Sequence, residues 1–104
     1  MTKADLDYIG SVSIDPDLMS ASGIAPWERV QVVDLNNGAR IETYAIESEP
    51  GSGEIQINGA AAHLIHPGNK VIIMTYKALE EEDIGSHEPI IIHVDDENKI
   101  IDLE

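Results

Sequence analysis

The sequence predicts a small, mainly β domain, a compact β-barrel with only brief helices, and three observations carry that prediction. The apolar residues, 42% of 104, include no Phe and a single Trp but many Ile, Val and Ala, and β-branched aliphatics fit the half-buried surface of a sheet. Short runs of such residues recur along the chain between Gly, Pro, Asn and Asp signals that mark tight turns. A chain of this length supports one core and not two, and no repeat or linker divides residues 1–104.

The elements follow in order. Tyr8 to Ile14 places Tyr8, Gly10, Val12 and Ile14 on one side and reads as a strand. Asp15-Pro16-Asp17 supplies an N-cap, a proline at the first helical position and an acidic first turn, with Gly23 as the stop, so a short helix follows. Arg29 to Leu35 is β-branched, and Asn36-Asn37-Gly38 accepts the positive φ of a hairpin turn, which makes Ala39 to Ile46 the returning antiparallel strand. Residues 48–53 form a loop before the strand Glu54 to Asn58. Gly59 to Leu64 reads as a helical turn or two, His66 to Asn69 as a turn, and Lys70 to Lys77 as a strand. The acidic run Glu80 to Asp83 is a solvated loop or helix end, and Glu88 to Val94 and Lys99 to Leu103 are the last strands.

Composition excludes several functions. Six basic against twenty acidic residues give a formal net charge of −14, which argues against nucleic acid or an anionic membrane as partner. No stretch is long and apolar enough to span a bilayer, and Met1-Thr2-Lys3-Ala4-Asp5 lacks a signal-peptide layout, so a soluble cytoplasmic protein is expected. Without cysteine there is neither a thiol nucleophile nor a thiolate metal site. His63 and His66 are three apart, but Pro67 follows at once and no carboxylate completes a set; no metal is expected.

Chemistry is most visible at Gly10-Ser11. A serine hydroxyl that attacks the carbonyl before it turns the peptide into an ester, and elimination then leaves a ketone at a new chain end. The plainer reading of the dipeptide is a bend where glycine relieves crowding. On the hairpin's second strand, Arg40, Glu42 and Tyr44 share one face and Thr43 takes the other. Arginine is shaped to hold a carboxylate in two parallel hydrogen bonds, and a tyrosine can hand over a proton; an exposed ion pair and a wall tyrosine explain the same strand.

The runs Ala4 to Asp15, Asn37 to Ile46 and Ile57 to His63, with Pro67-Gly68 and Val71-Ile72-Ile73 after them, keep the order and spacing of bacterial aspartate 1-decarboxylases, and the chain resembles that family over nearly its whole length. The resemblance implies a double-psi β-barrel assembled as a homotetramer with active sites between subunits. It also implies a pyruvoyl enzyme that converts L-aspartate to β-alanine for pantothenate and coenzyme A synthesis. Carried over position by position, Gly10-Ser11 is the self-cleavage site and Ser11 the pyruvoyl precursor. Arg40 is the substrate carboxylate clamp, Tyr44 the proton donor after carbon dioxide leaves, and Thr43 a helper in processing; Tyr8, Asn58, Gly59, Ala60, Ala61 and Ile72 line the pocket. The ketone would be the electron sink and the protein the positioning scaffold, the usual division of labour.

Members of the family usually begin further upstream, with a basic first strand that brings a lysine to the substrate. Against that pattern this sequence lacks the strand, and Lys3, which follows it, is not matched to that lysine. The competing expectation is a barrel of the same lineage that never cleaves, either serving as a binding or assembly module or standing as an inactive truncated form. One intact chain against two fragments separates the two.

Overall fold

The structure is a computed structural model and describes residues 3–5 and 10–103. Six strands form one sheet in the order β1-β5-β2-β4-β3-β6: β1 (Lys3–Asp5), β2 (Ser11–Ile14), β3 (Arg29–Asp34), β4 (Arg40–Glu47), β5 (Ile55–Asn58) and β6 (Val71–Met74). The sheet curls into a half-barrel, in keeping with the double-psi barrel that the resemblance implied. A separate antiparallel pair, β7 (Ile92–Val94) and β8 (Ile100–Leu103), closes the described chain.

Ser11 to Ile14 is the central strand, parallel to β4 and antiparallel to β5. All four of its residues are buried, so the period-two alternation read from the sequence separates two covered faces here rather than a wet one from a dry one. Val12 and Ile14 join Val30, Val32, Ala45, Ile55, Ile57 and Ile65 in the core, capped by Leu18 and Met19 of α1 (Pro16–Ser22). Each buried Val, Leu, Ile or Met side chain contributes roughly 1.5–3 kcal/mol, and among the described residues no aromatic stands in this buried cluster.

Two buried carboxylates fix the connections. Asp15 caps α1 by accepting from Asp17 N at 2.9 Å, and it also accepts from Gly51 N at 3.1 Å and Gly53 N at 2.8 Å, so one side chain ties the 48–53 loop to the helix. Gly53 has φ 69°, and a Cβ there would run into the Glu97 carbonyl. Asp34 is fully buried at the predicted hairpin and accepts from Asn36 N at 2.7 Å, Asn37 N at 3.3 Å and Asn69 Nδ2 at 2.6 Å. Burial alone would raise both carboxyls, but the backbone donors, with Lys99 near Asp15 and with Asn69 and His66 near Asp34, bring them below the ordinary value of 3.8.

Several boundaries differ from the expectation. Lys3–Asp5 forms an edge strand, β1, parallel to β5, although three residues carry too little periodicity to announce it. The strand expected over 70–77 is ordered as such only over Val71–Met74, where β3 offers partners. The strand expected from Glu88 begins at Ile92, where pairing with β8 begins. The acidic run becomes α2 (Glu81–Ile84), one exposed turn with three acids at its start, where the helix dipole favours them.

Candidate active site

Ser11 opens β2 directly after Gly10, whose φ is 144°. A Cβ at Gly10 would meet none of the described residues within 4 Å, and the positive φ asks for glycine. Ser11 is buried, and its Oγ accepts from Asn58 Nδ2 at 2.7 Å. The bond follows from sheet register, because Ser11 and Asn58 are directly opposite on β2 and β5, and Ser13 and Gln56 occupy the next row on the same face. Asn58 Nδ2 also donates to Ser13 Oγ at 3.1 Å, and Gln56 Nε2 donates to Asn58 Oδ1 at 2.8 Å. Asn58 is paired on its other side with Asp5 of β1.

The strand on the far side of β2 carries the other candidates. The parallel ladder begins at Val12 with Ala45, so Ser11 and Tyr44 are the residues just before it on their strands. Tyr44 is half-buried and stacks on Trp27, with ring centroids 5.5 Å apart and planes at 21°. Arg40 lies two rows away along β4, opposite Val33, and its Nη1 donates to Gln31 Oε1 at 3.0 Å, which leans the guanidinium one row toward Tyr44. Tyr76 donates its hydroxyl to the same Gln31 oxygen at 2.9 Å. The neighbouring row holds the ion pair of Arg29 with Glu42. Ile72 of β6 pairs with Val33 and borders Arg40's row.

Ser11, Asn58, Tyr44 and Arg40 thus belong to one run of adjacent strands, and the expected face of Arg40, Glu42 and Tyr44 is reproduced by their pairing with Val33, Gln31 and Arg29. Thr43 precedes Tyr44 on the opposite face, opposite Val30, and its hydroxyl has no hydrogen bond among the described residues. Gly59, Ala60 and Ala61 follow Asn58 in a single 3-10 turn, with Gly59 buried at φ 73° and Ala60 exposed. Tyr8 lies outside the described residues.

Three residues that the sequence reading did not single out belong to this region. Gln56 and Ser13 complete the polar row around Asn58; the signal was a pair of polar positions spaced by two on each of two strands that turn out to face each other. Trp27 was noted only as the single tryptophan. It has φ 70°, which is rare for a bulky side chain, and its N–H donates to Ala45 O at 2.6 Å, while Ala45 N donates back to Glu28 O at 2.9 Å.

A half-barrel organised around a buried serine on its middle strand puts the molecule among the small double-psi barrel proteins. The sequence profile of the family described as aspartate decarboxylase matches residues 1–101. An aspartate 1-decarboxylase of Corynebacterium efficiens is 53% identical over 103 residues, an overlap that spans 99% of this chain and 76% of the relative. The chain belongs to the aspartate decarboxylase family.

Proposed function

We propose that this chain cleaves itself between Gly10 and Ser11 and that the resulting pyruvoyl-bearing protein decarboxylates L-aspartate to β-alanine for pantothenate synthesis. The observation that carries the reading is the buried Ser11 Oγ, following a positive-φ glycine and held by Asn58, in a chain of this family. In processing, Ser11 Oγ bonds to the Gly10 carbonyl carbon, the Gly10 C–Ser11 N bond breaks, and the hydroxyl proton passes to the freed nitrogen. Loss of the Ser11 Cα proton to water then breaks the Cβ–Oγ bond, and Gly10 departs as a carboxylate. Water converts the remaining dehydroalanine to the ketone and releases ammonia. Glycine at position 10 leaves that carbonyl open to attack and accepts the positive φ in which it is held.

The residues around Ser11 fit a pyruvoyl group. Asn58 Nδ2 stands beside Ser11, a donor next to the residue whose Cα would carry the ketone oxygen, and a carbonyl oxygen only accepts. When formed, the group supplies a ketone that takes up the substrate amine and the electrons released with carbon dioxide. Arg40, with free N–H donors beyond the one given to Gln31, holds a carboxylate. Tyr44, at the head of the β2–β4 ladder, delivers the proton that replaces carbon dioxide. In a chain of net charge −14 the recruitment of a dianion depends on local charge, because salt screens beyond about 8 Å. Both arginines of the sequence lie on this one face, Arg29 and Arg40.

A site completed between copies of the chain, in a homotetramer, is supported by the same face. Trp27, Ile72 and Tyr76 are 71%, 47% and 70% exposed in the single chain, large side chains of the kind that a contact between copies covers. Among the described residues no helix is long and apolar enough to cross a membrane, and we take the enzyme to act in the cytoplasm.

The test is the intact mass under denaturing conditions. Two fragments, residues 1–10 and a long piece blocked at position 11, with β-alanine formed from aspartate, support the reading. A single intact mass after prolonged warming sinks it and favours the non-processing barrel.

A further inference from the structure

We propose that Gln56 is a positioning residue for the conversion of Ser11, because it decides which end of the Asn58 amide faces the serine. The proposal rests on the self-cleavage reading above. The two ends of a carboxamide are nearly equal in shape and opposite in function, one donating and one accepting. Nothing in the shape of β5 selects between them. The selection comes from Gln56, whose Nε2 donates to Asn58 Oδ1 at 2.8 Å and so turns Asn58 Nδ2 toward Ser11 Oγ at 2.7 Å and Ser13 Oγ at 3.1 Å. Ser11 and Asn58 are each 2% exposed and Ser13 9%, so water does not substitute freely for a lost partner.

The orientation bears on one step in particular. In the elimination the Cβ–Oγ bond breaks with its electron pair moving to Oγ, which leaves as part of the Gly10 carboxylate, while the Cα proton goes to water. Oγ is the atom that gains charge and the atom to which Asn58 donates. A donor there stabilises the departing oxygen; the flipped amide would set Oδ1 against it. Ser13 takes the second N–H of the same amide and leaves Asn58 no idle donor with which to turn away.

The experiment compares cleavage rates by intact mass in the full chain, with Ser11→Ala as the uncleavable control. Gln56→Glu keeps the shape but places an acceptor against Asn58 Oδ1, so the amide flips and cleavage slows by about tenfold or more. Gln56→Leu removes the donor without imposing the flip and slows cleavage less. A residue needed only for packing gives the reverse order, the isosteric Glu being the milder change. In Gln56→Glu the rate recovers relative to wild type as pH falls through the carboxylic acid range, about 4.3, since a protonated Glu donates again. The titratable groups at neighbouring positions are Lys3 and Asp5 on β1, Glu54 beside β5 and Glu47 on β4; β2 carries none, and wild type at each pH corrects for them. A second readout is the Asn58 side-chain amide by NMR, shifted and slow to exchange in wild type and altered in Gln56→Glu. Wild type cleaving through Ser11 while Gln56→Glu cleaves equally fast overturns this proposal alone. Wild type that never cleaves overturns the self-cleavage reading and this proposal with it. Should Gln56→Glu not fold, Gln56→Leu decides with the same amide signal: severalfold slowing together with an altered Asn58 side-chain amide supports the role, and an unchanged rate, or slowing with that amide unchanged, rejects it.

Discussion

Asn58 donates to Ser11 from the directly opposite position on the neighbouring strand, at 2.7 Å and with both residues out of water. Replacing it by leucine removes the donor and strands three polar groups, Ser11, Ser13 and Gln56. Asn58→Leu is expected to lower stability by about 1–3 kcal/mol and to slow processing. Urea unfolding and the time course of fragment formation check it, and cleavage at the wild-type rate counts against the assignment of Asn58.

Among the described residues nothing stands in the way of a methyl group at Gly10, but the backbone does not suit one. Gly10→Ala therefore folds, with local strain of about 1–3 kcal/mol driving the bond away from its native geometry. Fragment formation at least several times slower than wild type is expected, with circular dichroism unchanged. Equal rates would mean that the positive φ of Gly10 has no part in the acyl shift.

Tyr44→Phe retains the ring that stacks on Trp27 and deletes only the hydroxyl. Both fragments are expected to form at the normal rate, while turnover of aspartate falls by about 10²–10⁴-fold. Full turnover in this variant removes Tyr44 as proton donor.

Trp27→Gly sets two effects against each other. The aromatic pair contributes about 0.5–1.5 kcal/mol, and φ 70° stores about 1–3 kcal/mol in a bulky residue that glycine releases. The urea midpoint is expected to stay level or rise despite the loss of the largest side chain in the protein. A clear fall would place more of the fold's stability in the stack than its geometry implies.

The buried acids make stability fall in acid. Asp15 and Asp34 both titrate below 3.8 in the folded chain, so what they contribute is fully present above that value and is lost as pH falls through their lowered folded values. Unfolding midpoints followed from neutral pH to about pH 3 should drop, and Asp34→Asn should flatten the acid limb. At neutral pH, Asp15→Ala should lose about 0.5–2 kcal/mol through the cap alone. An acid limb unchanged in both variants would remove these two residues as its cause.

Much of this architecture was legible because the turns announce themselves. Asp15-Pro16 with Gly23 bounded a helix, and Asn36-Asn37-Gly38 fixed a hairpin that then set the faces of Arg40, Thr43 and Tyr44. What stayed hidden depends on long-range pairing. Nothing local says that β5 lies beside β2, so the joining of Gln56, Asn58, Ser13 and Ser11 into one row was invisible. The same holds for Asp15 and Asp34, which read as an ordinary helix cap and a strand residue and prove to tie in loops 36 and 35 positions away, at Gly51 and Asn69. The edge strand β1 is too short to carry a pattern at all.

Asn58 is matched on one side with Asp5 and on the other with Ser11, so segments on either side of the Gly10–Ser11 bond are paired with the same residue of β5. A cut between Gly10 and Ser11 would therefore convert a covalent connection into a small complex: the leading peptide would stay as a bound strand, held by the Lys3–Asp5 pairings and leaving by dissociation. Its retention would then obey mass action, so dilution and denaturant would strip it while native chromatography would carry both pieces together.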